Sequence, residues 1–235
     1  MRLDRLLTLL SVGTRTEAQW LIRLGRVTVD GNRVTDPSKH VDGCIIHVDG
    51  KALDTRLSRH LMLNKPAGVL TAADDKRQRT VMDILPPVYK TLGCMPVGRL
   101  DKDTTGLLVL TTDGTLAHRL LSPKSDIKKV YIAKTDTPLQ VSDCYAFAEG
   151  LHFKDFDALP AELEILSPDT AKITVAEGKF HQVKRMLHAV GHETLALKRL
   201  SFGPLALDAA LSEGQYRELS EEEVAALYAA ARMTE

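Results

Sequence analysis

Residues 98–112 read Gly98-Arg99-Leu100-Asp101-Lys102-Asp103-Thr104-Thr105-Gly106-Leu107-Leu108-Val109-Leu110-Thr111-Thr112. A polar, glycine-bracketed loop here feeds an apolar run of strand length. The loop sets two carboxylates between the basic side chains Arg99 and Lys102 at the edge of a core. Nearby cations keep a carboxylate ionised and available as a nucleophile. Three chemistries fit the stretch: a charged turn with a structural aspartate, a divalent-metal site on Asp101 and Asp103, or a nucleophilic aspartate that works without metal.

Outward from this loop, strands and helices alternate without a repeat. His60 to Leu63 reads as a buried strand running into Lys65-Pro66, and Thr80 to Leu85 as a short helix stopped by Pro86-Pro87. Gly114 to Leu121 reads as a helix ending before Pro123, Val130 to Ala133 as a strand, and Val141 to Glu149 as a helix. Ala161–Leu166 and Ala171–Ala176 alternate like paired strands. From His181 to Val190, Val183, Met186, Leu187 and Val190 form an apolar helical stripe with Gly191 as the stop. His181, Lys184, Arg185 and His188 share its polar face. Ser220-Glu221-Glu222-Glu223 caps a final Ala-rich helix. Regular βα repetition is missing, so the expected class is α+β, with a mixed, largely antiparallel sheet flanked by helices.

The first 53 residues form a separate pattern. Leu3, Leu6, Leu7 and Leu10 have helical spacing, and Thr14 with Glu17 forms a capping box ahead of Ala18, Leu21 and Ile22. Gly25 ends that helix, and Val27–Val29, Asp30-Gly31-Asn32 and Val34 read as strand, turn and return, with another strand at Ile45–Val48. The polar segment 54–59 reads as a linker, giving expected domains of 1–57 and 58–235.

The chain has 235 residues with 31 basic and 31 acidic side chains, hence zero formal charge. That total hides an asymmetry of +7 over residues 1–130 against −7 over 131–235, a pattern that hints at a polyanionic partner. No apolar run reaches the length of a spanning helix, and the N-terminus lacks a signal-peptide pattern, so the expected location is the cytoplasm and no membrane partner is expected. Cys44, Cys94 and Cys144 form no CxxC pair, which suits a reducing compartment and offers no zinc site. No feature argues for an obligate oligomer, so a monomer is expected.

Arg2, Arg5, Arg15, Arg23 and Arg26 crowd the two N-terminal helices, opposed mainly by Asp4 and Glu17. Guanidinium groups fit phosphates bidentately and stack on bases, so the cluster suits folded RNA. A solvated helix face fits the charge count equally well. Arg2-Leu3-Asp4, Leu7, Arg15, Leu21-Ile22, Gly25 and Val27-Thr28-Val29-Asp30-Gly31 together resemble the S4 RNA-binding domain. Thr14 stands where many S4 domains have serine, and threonine caps as well. The resemblance implies a small α/β domain that binds structured RNA.

Residues 98–112 resemble the signature of the ribosomal small subunit pseudouridine synthase A family, in which the aspartate after Arg-Leu, here Asp101, is the nucleophile. Met62-Leu63-Asn64-Lys65-Pro66-Ala67-Gly68 resembles that family's first strand and loop, and Glu177-Gly178-Lys179-Phe180-His181-Gln182-Val183-Lys184-Arg185-Met186 its basic helix motif. The resemblance implies conversion of uridine to pseudouridine with no metal and no cofactor: the N1–C1′ bond breaks, uracil rotates, and C5 joins C1′. It leaves open whether Asp101 attacks C1′ or C6 or assists glycal formation. It implies that Tyr131 stacks on the target uracil and that Lys184 pairs with Asp101. By position, Arg99 and Lys102 beside the nucleophile and His181 and Arg185 on the polar helix face are expected RNA contacts, as are Lys65 and Gln182 in the neighbouring motifs. Arg99 or Lys102 would fill the gap left by the extruded base. Asp103–Gly106, His118–Pro123 and Glu213–Arg217 look closest to the 16S rRNA pseudouridine(516) synthase branch, so the expected partner is 16S rRNA or a 30S assembly intermediate. The alternatives are a 23S-specific relative, a non-catalytic S4-type RNA-binding protein and a metal-dependent nuclease.

Overall fold

The computed structural model describes residues 1–122 and 125–233. Its contacts divide the chain into two compact units, Met1–Arg59 with Leu85–Cys94, and His60–Ile84 with Met95–Glu235.

In the first unit, α1 (Leu3–Leu9) and α2 (Arg15–Arg23) precede a small antiparallel sheet. Its strands are β1 (Val27–Val29), β2 (Asn32–Arg33), β3 (Ile46–Val48) and β4 (Lys51–Ala52), in the order β2-β1-β3-β4. The Thr14 hydroxyl accepts the Glu17 amide while the Glu17 carboxylate accepts the Thr14 amide, closing the capping box. Leu3, Leu6, Leu7, Ala18, Ile22, Val27 and Ile46 form the core. Segment 54–59, read from sequence as a linker, carries an ion-pair cluster in which Asp54 receives Arg56 and the buried Arg59.

Segment 85–94, which the sequence reading leaves among residues 58–235, packs with this first unit through Val88 and Leu92. It also corrects the local reading. Pro86-Pro87 does not only stop the preceding turn, a 3₁₀ helix at Val81–Asp83; Pro87 opens α3 (Pro87–Thr91) at its first position. Proline suits that position because its missing N–H has no helical partner there.

The second unit is built on one mixed sheet. Its main path contains β5 (His60–Lys65), β7 (Thr105–Thr111), β8 (Lys129–Thr135), β11 (Glu162–Ser167), β12 (Thr170–Val175), β13 (Thr194–Phe202) and β15 (Tyr216–Glu218), ordered β11-β12-β8-β13-β7-β5-β15. β6 (Met95–Pro96) adds to β7 and β14 (Leu205–Ala206) to β13, while β9 (Leu151–His152) and β10 (Asp157–Ala158) form a separate hairpin. Only β7 and β13 run parallel among these neighbours, so the sheet is largely antiparallel.

Helices α4 (Gly114–Leu121) and α7 (Glu221–Ala230) pack on a core of Met62, Val97, Leu107, Val109, Phe202 and Leu227. Helix α5 (Val141–Glu149) follows β8, and α6 (Gln182–Ala189) buries Val183, Met186 and Leu187. Pro123, taken from sequence as the stop of α4, lies outside the described residues. At the head of β7, Gly106 has φ +99°, and a Cβ there would stand 2.2 Å from the Arg199 carbonyl oxygen. Only glycine lets β7 lie this close to β13.

Candidate active site

The loop ahead of β7 is held from inside. Lys65, the last residue of β5, is fully buried, and its ammonium donates to the carbonyls of Pro66, Asp101, Lys102 and Thr104 at 2.9–3.1 Å. Burial pushes the Lys65 pKa down to about 8. The Thr71 hydroxyl donates to the Leu100 carbonyl at 2.8 Å and accepts the Leu100 amide at 3.2 Å, and the Gly68 amide donates to the Lys102 carbonyl. The backbone from 100 to 104 is therefore pinned by hydrogen bonds to buried groups, and the Asp101 side chain projects from a fixed base.

Around Asp101 the structure gathers residues distant in sequence. Lys184 Nζ lies 3.2 Å from Asp101 Oδ2 and 2.5 Å from Asp103 Oδ1, so one ammonium sits between the two carboxylates. Lys184 also holds the Asp103 carboxyl below the usual carboxylate range. His181 Nε2 is 3.4 Å from Asp101 Oδ1. Tyr131, from β8, is nearly buried and lines the same cleft as Arg99, Asp101, Thr104, Lys184 and Leu197. The cleft holds about 70 Å³.

The polar face of α6 does not act as a single strip. His181 and Lys184 turn to Asp101, whereas Arg185 forms a two-pronged pair with Asp155 and lies 4.7 and 4.6 Å from the ring centres of Phe153 and Phe156. His188 meets Glu193 at 2.7 Å. Two of the residues expected to contact RNA are engaged within the protein. Lys65 spends its donors on the four carbonyls. Gln182 is buried, donates to Glu177 and accepts the Lys179 amide, so it orders the turn into α6. Arg99 and Lys102 are exposed, as expected for RNA contacts, and Lys102 donates to Gln78 at 2.8 Å.

That last bond brings in residues missed from sequence. Lys76, Arg77 and Arg79 are exposed on the segment that Gln78 ties to the Asp101 loop. The run Asp74-Asp75-Lys76-Arg77-Gln78-Arg79 carried the signal, masked by its two aspartates. Leu197 was missed because β13 itself was not read. Glu213–Arg217, read as a mark of target choice, does internal work. Arg217 pairs with Asp208 and with Glu223 of α7, and Tyr216 joins the sheet opposite Leu63.

In the first unit, Arg2, Asp4, Arg5, Thr8, Leu9 and Arg15 line a concavity of about 430 Å³. Asp4 is fully buried and receives Arg2 Nε and Nη2, the Arg5 amide and Gln19. Its hydrogen bond from Arg2, ahead of those from Gln19 and the Arg5 amide, holds its pKa at about 2. Arg5, Arg15, Arg23 and Arg26 are exposed, with Arg26 paired with Asp49 and Arg15 3.9 Å from Asp4.

A family profile described as RNA pseudouridylate synthase matches residues 59–189, and an S4 domain profile matches residues 1–44. The chain belongs to the RNA pseudouridylate synthase family. An RNA pseudouridine synthase YtzG, described as uncharacterized, from Bacillus subtilis (strain 168) is 44% identical over 231 residues, spanning 95% of this chain and 97% of the relative. Ribosomal small subunit pseudouridine synthase A of Pseudomonas aeruginosa is 39% identical over 231 residues, spanning 95% and 99%. A crystal structure of a pseudouridylate synthase superposes with a TM-score of 0.68 at 34% identity, covering 97% of this chain and 99% of that one. This pseudouridine synthase is thus an enzyme of uridine isomerisation in RNA, with an S4 domain ahead of its synthase fold. No helix among the described residues is long and apolar enough to cross a membrane.

Proposed function

We propose that the enzyme isomerises a uridine of 16S rRNA, with Asp101 as the nucleophile, Tyr131 against the target uracil and Lys184 as the counter-ion of Asp101. The observation that carries this reading is the convergence of Asp101, Lys184 and Tyr131 in one cleft. The Lys184 ammonium lies 3.2 Å from an Asp101 carboxylate oxygen, the atom able to add to carbon. It also takes the place between Asp101 and Asp103 that the metal-site reading needs, which favours metal-free activation.

In the reaction the N1–C1′ bond is cleaved, uracil turns within the cleft, and C5 bonds to C1′. The hydrogen on C5 then leaves as a proton and N1 takes one up, restoring the ring, so atoms and charge balance without a co-substrate. Asp101 serves by adding to C1′, by adding to C6, or by assisting glycal formation. The nearly buried Tyr131 ring offers a flat face to the detached base, keeping it in the cleft while it turns. The exposed Arg5, Arg15 and Arg23, with Arg99, Lys102 and the 76–79 segment, supply cations for the RNA backbone.

The small-subunit target rests on the Pseudomonas aeruginosa relative, whose named role is in the ribosomal small subunit and whose length this chain covers almost entirely. Tritium release from [5-³H]uridine-labelled 16S rRNA, 23S rRNA and partly assembled 30S particles tests it. Release from 16S rRNA or 30S particles alone is expected. Release from 23S rRNA alone assigns the target to the large subunit and overturns the proposal.

A further inference from the structure

Phe180 is the most exposed large apolar side chain among the described residues, at 75%. It stands at the turn into α6, beside the cleft rather than in a core. Its ring lies flat on the His181 imidazole, with centroids 3.9 Å apart and planes 16° from parallel. His181 enters α6 with φ +52°, a left-handed conformation that a non-glycine residue adopts only when its surroundings enforce it. The same imidazole reaches Asp101 Oδ1 at 3.4 Å. A strained residue thus holds an exposed aromatic ring one ring-thickness from the group beside Asp101.

We propose that Phe180, seated on His181, is a stacking platform for the nucleobase next to the target uridine. The inference rests on the reading of the cleft as the uridine site. A uridine that reaches Asp101 must leave its stack, which strips a neighbouring base of its partner. Bases stack on aromatic side chains with little sequence preference, since every base offers a π-face. The surroundings favour a nucleic-acid occupant over an apolar peptide: Lys179, directly before Phe180, is an exposed cation. Arg185, the other cation of this motif, is committed to Asp155 and to Phe153 and Phe156, and leaves Phe180 as the free planar group.

The test is a cycle between protein and RNA. The modified position is mapped in the wild-type product, and 16S rRNA is then ligated from transcripts and a synthetic segment that carries an abasic nucleotide on either side of it. On intact RNA, Phe180→Ala is expected to raise KM about tenfold, within the range of one lost stacking contact, with kcat within about twofold. Phe180→Trp is expected to restore KM. With one flanking base removed, wild type falls to the level of Phe180→Ala, and the substitution then costs nothing further. Additive losses at both flanking positions, an unchanged KM, or a fall confined to kcat overturns the platform. If wild-type enzyme forms no pseudouridine in any rRNA, it is the reading of the cleft as the uridine site that fails, and the platform with it.

Discussion

Replacing Lys65 by methionine removes a buried ammonium while keeping most of the side-chain volume. Of its four carbonyl partners, those of Asp101 and Lys102 keep second donors, the amides of Thr104 and Gly68. The loss therefore falls mainly on the oxygens of Pro66 and Thr104, at roughly 1–3 kcal/mol for each buried acceptor left short. Against this stands the cost of burying the charge. A pKa lowered to about 8 from an ordinary value near 10.4 corresponds to about 3 kcal/mol against the charged form. The two nearly cancel, leaving a net loss of about 1 kcal/mol at pH 7.

Activity has no such offset. Without the ammonium the 101–104 backbone loses its internal anchor, and misplacement of a reacting group by about 1 Å costs on the order of 100-fold in rate. Lys65→Met is expected to unfold in urea close to wild type while its single-turnover rate on rRNA falls about 100-fold. Because the folded pKa lies below the unfolded one, the unfolded chain binds more protons between pH 8 and 10.4, and wild type gains stability across that window. The stability gap between the two proteins should thus widen as pH rises through it. Wild-type turnover by Lys65→Met, or a loss above about 4 kcal/mol at pH 7, would refute this account of Lys65.

In the first unit, Asp4 has a folded pKa below its unfolded value, so its contribution is present above about pH 4 and fades as pH falls towards 2. Asp4→Asn should cost about 2 kcal/mol at neutral pH and little near pH 2, read by hydrogen exchange of the α1 amides. Gly106→Ala places a methyl group against the Arg199 backbone; a loss of at least about 3 kcal/mol, or roughly 10 °C in Tm, is expected by calorimetry. Arg5, Arg15 and Arg23 changed together to alanine should weaken rRNA binding and flatten its salt dependence by about two to three phosphate contacts. At saturating RNA, kcat should stay near wild type.

What was legible in the sequence was local. The Thr14–Glu17 and Ser220–Glu223 boxes satisfy helix ends within four residues, and the apolar stripes of α1 and α6 need only their own spacing. The 98–112 stretch likewise announced a loop and a buried strand. β13 escaped because register shifts between Thr194 and Ala196 and between Arg199 and Ser201 break its alternation, and because Lys198 and Arg199 sit in its centre. Arg199 is buried and donates to the Leu107 carbonyl, a role no residue count suggests. Lys65, Gln182 and Asp4 share that lesson. Each looks like a surface group by type, and each is buried because the fold satisfies its polar atoms, from 36–39 residues away for Lys65 and from nearby residues for Gln182. Geometry also divided a face that sequence left whole, sending Lys184 to Asp101 and Arg185 to Asp155.

The central claim is that Asp101 performs the isomerisation without metal. It is tested most directly by tritium release from [5-³H]uridine-labelled 16S rRNA, with wild type and Asp101→Asn, each with and without EDTA. Wild type is expected to release the same amount of tritium in both conditions. Asp101→Asn is expected to release none while binding the RNA within a few-fold of wild type, because a nucleophile contributes little to ground-state binding. Normal release by Asp101→Asn, or wild-type release abolished by the chelator, would contradict the claim.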